Sequence, residues 1–575
     1  MDYSIRIGGQ AGQGVVSIGR MLAKTLALSG LHVFTHQDYM SRIKGGHNFY
    51  QIRFSDVPIS ASRGQVDVLL ALDRDTVAFH RHDLQAGGRI ICDAETIDPG
   101  IVSNIFLDVP FARITAGLGA DRIMVNSGTV GAILGAFGFD IDLFAAAIRT
   151  LMPEKSEGVI ATHCAVARAC WSHVRQHYPD LDALKVGSRQ TRRQLLISGN
   201  QAIGLGALCS GCTFFAAYPM SPATSLMLYL AGQAREQGII VEQAEDEIAA
   251  INLALGASYA GVRAMTATSG GGFALMTEGL SLAGMTETPV VIVEAQRPGP
   301  ATGLPTRTEQ GDLLFVIHGG HGEFPRVVLT PGSPEQAFHL TNKAFHLAEK
   351  YQIPVIIQSD QYLADAEWTV SSLAMDTLLY QDFRLREQAL QAMPSYRRYA
   401  RSDTGVSPLA VPGASRHVVA VDSDEHDEEG HIIEDAQTRT TMVEKRLTRK
   451  MPLIRQEIAP PFSYGDGQEI LLIGYSSTYG VMKEAVDHLA DRHRIGMLHF
   501  AEVCPFPLSE RFDFIALLKQ AALTLCVENN ATGQFASLLR QETGFTCSAG
   551  INKYDGRPFL LDTLIGEINA RLHGL

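Results

Sequence analysis

Tyr218-Pro219-Met220-Ser221-Pro222-Ala223-Thr224 follows directly on an apolar run, 213–217, and the same succession recurs three times. Residues 239–241 lead into Gln243-Ala244-Glu245-Asp246-Glu247, 263–267 into Thr268-Ser269-Gly270-Gly271-Gly272, and 290–293 into Gln296-Arg297-Pro298-Gly299-Pro300. Each apolar run reads as a strand, and each polar, Gly- or Pro-containing stretch as a loop. Helical periods fall between them over 224–236, 246–259 and 274–286, and further strands at 326–329 and 354–358. Such alternation implies a parallel sheet with helices on both faces. In that architecture the loops leave the carboxyl edge of the sheet, where ligands bind. The expected fold class is α/β, with a site on that edge.

Outward from this stretch, the chain of 575 residues is too long for one core and should divide by the usual ~100–200 residues per domain. Residues 1–185 read as an α/β domain. It opens with a strand at 4–7, the loop Gly8-Gly9-Gln10-Ala11-Gly12-Gln13-Gly14 and a helix over 15–29, with later strands at 32–35, 49–54, 68–72 and 89–92 and a helix near 128–138. The glycine loop suits an anion at a helix start, but it has neither the third glycine of a dinucleotide fingerprint nor a P-loop lysine. The basic stretch 185–193 reads as a linker. Residues 195–370 form the second domain, 371–464 an irregular connecting segment, and 465–575 a last α/β domain.

Composition excludes several function classes. With 46% hydrophobic and 19% charged residues the chain is a compact enzyme in composition, and its net charge of −13 argues against a nucleic-acid partner. No uncharged apolar run reaches the ~20 residues of a membrane span, and the start lacks a signal-peptide pattern, so no membrane partner and a cytoplasmic location are expected. Cys209 and Cys212 are one isolated pair among eight cysteines, a poor basis for a redox, metal or four-cysteine cluster site. The stretch Asp422-Ser423-Asp424-Glu425-His426-Asp427-Glu428-Glu429-Gly430-His431 reads as a solvated or interface loop. Gly465-Asp466-Gly467 precedes a strand and reads as a turn. The polar loop Val527-Glu528-Asn529-Asn530-Ala531-Thr532-Gly533-Gln534 is expected to face a partner surface.

The four loops, in order and spacing, resemble the signatures of the 2-oxoacid:ferredoxin oxidoreductases, specifically the large subunit with the gamma domain fused ahead of the alpha part, of the 2-oxoglutarate type. Tyr218-Pro219-Met220-Ser221-Pro222-Ala223-Thr224 is similar to the family's Tyr-Pro-Ile-Thr-Pro-Ser-Thr loop. The next loops, through Ala301-Thr302-Gly303-Leu304-Pro305-Thr306, follow the family's order. Gly8–Gly14 with Lys44-Gly45-Gly46-His47 matches the gamma domain, Asp424-Glu425-His426-Asp427 the middle segment, and Val527-Glu528-Asn529 with Gly533-Gln534 the last domain. The likeness spans essentially the whole chain. It implies a pyrimidine-binding domain and a transketolase C-terminal-like domain, as in thiamine-diphosphate enzymes, behind an N-terminal gamma α/β domain.

The resemblance implies a reaction: oxidative decarboxylation of 2-oxoglutarate to succinyl-CoA and carbon dioxide, reversible, with coenzyme A as co-substrate and electrons passed to ferredoxin. Pyruvate or another 2-oxoacid is the alternative substrate; a nucleotide-dependent dehydrogenase and a non-catalytic scaffold are the competing functions. It also assigns residues. Glu247 matches the acid that hydrogen-bonds the aminopyrimidine of thiamine diphosphate, with Glu245 and Asp246 as rivals and favourable charge at a helix start as the plain alternative. Arg297, Thr306 and Ser221 match positions that hold the substrate, Arg297 by a planar fork suited to a carboxylate and with Arg307 as its rival. Tyr218, Pro219 and Ser269 match the cofactor's surroundings. Ser221 stands where the family has threonine and keeps a hydroxyl; Ala223 stands where serine is usual, a loss attributed to a different neighbour in a partner subunit. No metal ligand is assigned here. The diphosphate, its Mg²⁺ and a [4Fe-4S] cluster are implied to belong to a beta subunit, in a dimer of heterodimers.

Overall fold

The structure, a computed structural model, describes residues 1–42, 45–97, 103–181 and 194–572. Lys44 and the whole stretch read as a linker, 185–193, lie outside the described residues. The chain packs as two units: Met1–Ile197 with Ala366–Ser372 and Leu560–Leu575, and Ser198–Asp365 with Leu373–Phe559.

In the first unit eight strands run in the spatial order Phe106–Asp108, Leu84–Cys92, Val66–Ala71, Asp2–Ala11, Gly45–Ser55, His32–Asp38, Glu367–Val370, Leu195–Ser198. The central strand pairs parallel with Val66–Ala71 and antiparallel with Gly45–Ser55. Gly14 enters helix Val15–Leu28 at φ 84°, a left-handed conformation that glycine adopts without penalty. Ile18, Leu22 and Leu26, four apart, form the helix's apolar stripe and share a core with Ile5, Ile7 and Tyr50. Helix Val125–Phe137 is apolar on every side and buried accordingly. Gly131 lets it approach helix Glu157–His177 closely, since a Cβ there would lie 2.0 Å from the Ala167 carbonyl oxygen.

Two pieces assigned to later segments by the sequence reading pack in this unit. Trp368 of strand Glu367–Val370 pairs with Phe34, and the Tyr50 hydroxyl donates to Glu367 at 2.7 Å. Asp562 of helix Leu561–Leu572 accepts from the Gly64 N–H at 3.1 Å. A four-residue strand carries no local signal of which sheet it joins; its partners decide.

The second unit contains two sheets. Seven strands run in the order Glu502–Cys504, Val327–Leu329, Pro354–Asp360, Val290–Gln296, Arg263–Thr268, Cys212–Ala217, Ile240–Gln243, all parallel except the first. Val290–Gln296 is buried throughout, as a central strand covered on both faces must be. The second sheet orders Phe462–Gly465, Ile495–Phe500, Ile470–Tyr475, Leu523–Glu528 and Ala549–Asn552. Gly465 and Gly467, at φ 80° and 71°, make the turn expected of Gly465-Asp466-Gly467. The mixed α/β, multi-sheet architecture matches the expected fold class.

The connecting segment is not irregular throughout. Helices Ala436–Val443 and Lys450–Glu457 flank a π-helical turn, Glu444–Arg449. The π spacing brings Lys445 and Lys450, five apart, to the same side, where each donates to a different oxygen of buried Glu287. Burial alone pushes the Glu287 carboxyl up, but Lys445, Lys450 and Arg398 outweigh it and hold the group below the usual range. In the stretch 422–431, His426 is fully buried on the Tyr399 ring, while Glu425 pairs with Arg439 and Arg446.

Among the described residues no helix is long and apolar enough to cross a membrane. Among them, too, no group of three or more His, Cys, Asp or Glu is arranged to hold a metal ion.

Candidate active site

The four polar loops leave the same edge of the seven-stranded sheet, from strands Val290–Gln296, Arg263–Thr268, Cys212–Ala217 and Ile240–Gln243, which are neighbours in that order. Parallel pairing makes this their common carboxyl edge. The site read from spacing is therefore assembled by register.

The three consecutive acids of the second loop separate by environment. Glu245 is exposed; Asp246 is the N-cap of helix Glu247–Tyr259 and accepts from the Ala249 N–H at 2.7 Å. Glu247, the first helical residue, is only 3% exposed, and its Oε1 is buried without a hydrogen-bond partner. A buried carboxylate oxygen left unsatisfied costs stability, so a ligand donor is the natural complement. Gly272 packs directly against this carboxyl: a Cβ there would lie 2.6 Å from Glu247 Oε1 and 1.9 Å from Thr268 Oγ1, so no larger residue fits. Thr268 Oγ1 is itself buried and unpartnered.

Contacts tie the other loops to Glu247. Arg297, half-buried, donates from Nη1 to the Ser221 carbonyl at 2.8 Å. Burial lowers its guanidinium pKa and the Glu247 carboxylate opposes that, so the two charges sense each other. Ser269 is fully buried at the N-cap of helix Gly270–Met285, and its hydroxyl donates to Met220 Sδ in the Tyr-Pro loop. Glu247, Arg297, Ser221 and Ser269 are thus brought together. Tyr218 stands at the rim, 40% exposed, next to half-buried Pro219, while Thr306, further along the Arg297 loop, is nearly buried.

Two expectations are corrected. Ala223 is buried, at the N-cap of helix Thr224–Gln237, so its lack of a hydroxyl answers to packing in this chain and not to a partner's neighbour. The loop 527–534 is not wholly turned outward: Glu528, Asn529 and Asn530 are buried within the unit, while Ala531 and Thr532 are exposed. The Gln310 N–H donates to the Asn529 carbonyl at 2.7 Å, the Asn529 N–H returns to Gln310 Oε1 at 2.9 Å, and Gln534 Oε1 accepts from the Leu314 N–H at 3.0 Å. The contact is long-range, so no local pattern announced it.

Sequence reasoning also missed a supporting residue. Asn200, fully buried, donates from Nδ2 to the Pro222 carbonyl at 3.0 Å and to Ser225 Oγ at 2.7 Å, holding the Tyr-Pro loop from below. Its only signal was an amide at the start of an apolar helix.

Similarities to known proteins identify the family. Residues 205–445 match the family model "Pyruvate flavodoxin/ferredoxin oxidoreductase, thiamine diP-bdg", and residues 4–171 match "Pyruvate ferredoxin/flavodoxin oxidoreductase". A Sulfolobus 2-oxoacid:ferredoxin oxidoreductase subunit alpha is 32% identical over 98% of this chain and 96% of its own. A Mycobacterium tuberculosis 2-oxoglutarate oxidoreductase subunit KorA is 27% identical over 99% and 91%. The solved 2-oxoglutarate:ferredoxin oxidoreductase from Magnetococcus marinus, with 2-oxoglutarate, coenzyme A and succinyl-CoA bound, superimposes with a TM-score of 0.89 at 29% identity, covering 99% of each chain. With a thiamine-diphosphate-binding region, full-length relatives and a matching fold, the chain belongs to the 2-oxoacid:ferredoxin oxidoreductase alpha-subunit family.

Proposed function

We propose that this chain supplies the pyrimidine-facing half of a thiamine diphosphate site for the coenzyme A-dependent oxidative decarboxylation of 2-oxoglutarate to succinyl-CoA, reversible, with ferredoxin as electron carrier. The observation that carries the reading is the buried, unpartnered Oε1 of Glu247 at the carboxyl edge of the sheet. A carboxyl so placed can hold or move one proton at a ligand nitrogen, and water is kept from competing for it. Thiamine diphosphate, when bound, supplies the carbon nucleophile and electron sink that a 2-oxoacid needs to lose carbon dioxide.

The remaining residues have positioning work. Arg297 presents a fork to the substrate carboxylate, held by the Ser221 carbonyl and aimed toward Glu247. Ser221 and Thr306 offer hydroxyls to the same carboxylate, and Tyr218, Pro219 and Ser269 shape the cofactor's surroundings. Segments 1–185, 195–370 and 465–575 act as gamma, pyrimidine-binding and transketolase C-terminal-like domains, with 371–464 between them. The diphosphate, Mg²⁺ and the [4Fe-4S] cluster belong to a beta subunit in a cytoplasmic dimer of heterodimers.

An exposed apolar face supports the partner. Helix Thr224–Gln237 buries only Leu226 and Leu230, leaving Leu228 68% exposed, and Ile248, Leu253 and Leu275 on the two following helices are also exposed. The choice of 2-oxoglutarate draws support from the Mycobacterium relative's name and the ligands of the Magnetococcus structure. Measuring acyl-CoA formation by the reconstituted alpha–beta complex from a panel of 2-oxoacids tests it. Highest kcat/KM with 2-oxoglutarate is expected; a clear preference for pyruvate would reject the substrate.

A further inference from the structure

Behind Glu247 lies a second carboxyl site with no evident structural purpose. Thr268, Glu294 and Gln358 are in direct register across three adjacent parallel strands, so their side chains share one face of the sheet. All three are fully buried. Neither oxygen of Glu294 has a donor at full hydrogen-bonding geometry; its carboxyl lies against the Gln358 amide and the Asp312 carboxyl. Two ionised carboxylates cannot bond to each other; the contact becomes a hydrogen bond only when one carries a proton.

Asp312 is held where its charge would matter. Its N–H donates to Gln296 Oε1 at 2.9 Å, and its carboxyl overlies Gly270, where a Cβ would lie 2.1 Å from Oδ2. Gly270 opens the helix Gly270–Met285, whose N-terminal end favours a negative charge. Gly272, two residues on, is the position that meets Glu247 Oε1 and Thr268 Oγ1. One helical turn therefore has Asp312 at its start and Glu247 against its third residue.

We propose that Glu294 and Asp312 form a one-proton acid pair, Glu294 as the neutral donor and Asp312 as the carboxylate. The pair acts as a positioning device that fixes the Gly270–Gly272 turn against Glu247. The inference rests on the role given to Glu247 above. No bond other than O–H is made or broken: in acid, Asp312 takes a proton from solvent, the charge at the helix start is lost and the turn loosens.

Titration follows the geometry. Burial first, and then Asp312 and Asp360, push the Glu294 carboxyl well up, so it keeps its proton at neutral pH. Burial also raises Asp312, to about 6, while the bond to Glu294 partly offsets the shift. The groups that face the pair are Asp360 on strand Pro354–Asp360 and Glu309 in Asp312's own loop, itself raised by burial and by Asp312. A carboxyl raised above its unfolded value stabilises the fold only in acid, and that stability is lost as pH rises through about 6. A group that weakens the fold at neutral pH calls for a functional reason.

The test uses the full chain and its reconstituted complex. By infrared difference spectroscopy of the chain alone, wild type should show a carboxylic acid band that persists at pH 8 and disappears in Glu294→Gln, and a second that titrates near 6 and disappears in Asp312→Asn. Binding of thiamine diphosphate by the complex should weaken about tenfold between pH 7.5 and pH 5, as the ionised fraction of such a group falls. Asp312→Asn should bind weakly at both pH values, and Glu294→Gln, which mimics the neutral acid, should keep the wild-type profile. Asp312→Asn should also melt higher than wild type at pH 8 and no higher at pH 4, which separates a functional loss from misfolding. A band at pH 8 that survives Glu294→Gln, or an unchanged binding profile in Asp312→Asn, would overturn the inference. The infrared result does not depend on Glu247, so its failure is distinguishable from failure of the assigned cofactor role.

Discussion

At the scale of single residues, environment divides groups that look equivalent in a string. Glu245, Asp246 and Glu247 are three neighbouring acids, and any could serve a cofactor. Only burial and capping show that one points to water, one to the helix backbone and one into the interior, where its Oε1 has no partner. Arg297 was singled out by the family resemblance of its loop; its anchoring on the Ser221 carbonyl was not legible, since that contact crosses two loops. Arg297→Lys keeps the charge but loses the fork. The KM for the 2-oxoacid should rise about tenfold, with kcat changed far less, as a steady-state comparison would reveal. An unchanged KM would remove Arg297 from substrate binding.

At the scale of elements, periodicity carried most of the fold. Parallel strands buried on both faces are continuous apolar runs, and helices between them show their own period, so the seven-stranded sheet and its loops could be read directly. Strand Glu367–Val370 could not, because its pairing with Phe34 is decided by the first unit. The helix Val125–Phe137 illustrates how a residue governs an element. Gly131→Ala would place a Cβ 2.0 Å from the Ala167 carbonyl oxygen, which belongs to backbone and cannot swing away. The substitution should destabilise the chain by about 1–3 kcal/mol in denaturant unfolding despite alanine's better helix propensity. A more stable variant would show that the two helices separate freely.

The π turn Glu444–Arg449 makes a similar point. An ordinary helix would not set Lys445 and Lys450 together on Glu287, and no propensity scale signals that spacing. Removing the shared carboxylate leaves two buried ammonium groups uncompensated. Glu287→Gln should therefore lower stability by roughly 3–5 kcal/mol, readable as a shift of the urea midpoint. A loss below about 1 kcal/mol, the range of exposed pairs, would place the cluster in effective contact with water.

At the scale of the whole molecule, the chain is proposed to supply one side of a site. Its loops bring together an acid, a guanidinium and hydroxyls, and three of its helices carry exposed apolar residues that a second subunit would cover. The loop at 527–534 shows where reading from sequence runs out: a polar loop at a strand's end is equally suited to a partner and to its own chain, and here it grips Gln310.

The central claim is that the Glu247 carboxyl acts on a cofactor in a site completed by the beta subunit. The most direct measurement is acyl-CoA formation by the reconstituted complex carrying Glu247→Gln, with folding and assembly checked on the same sample. Loss of at least about 100-fold in kcat, with the complex intact, is the expected result. Turnover within a few-fold of wild type would contradict it.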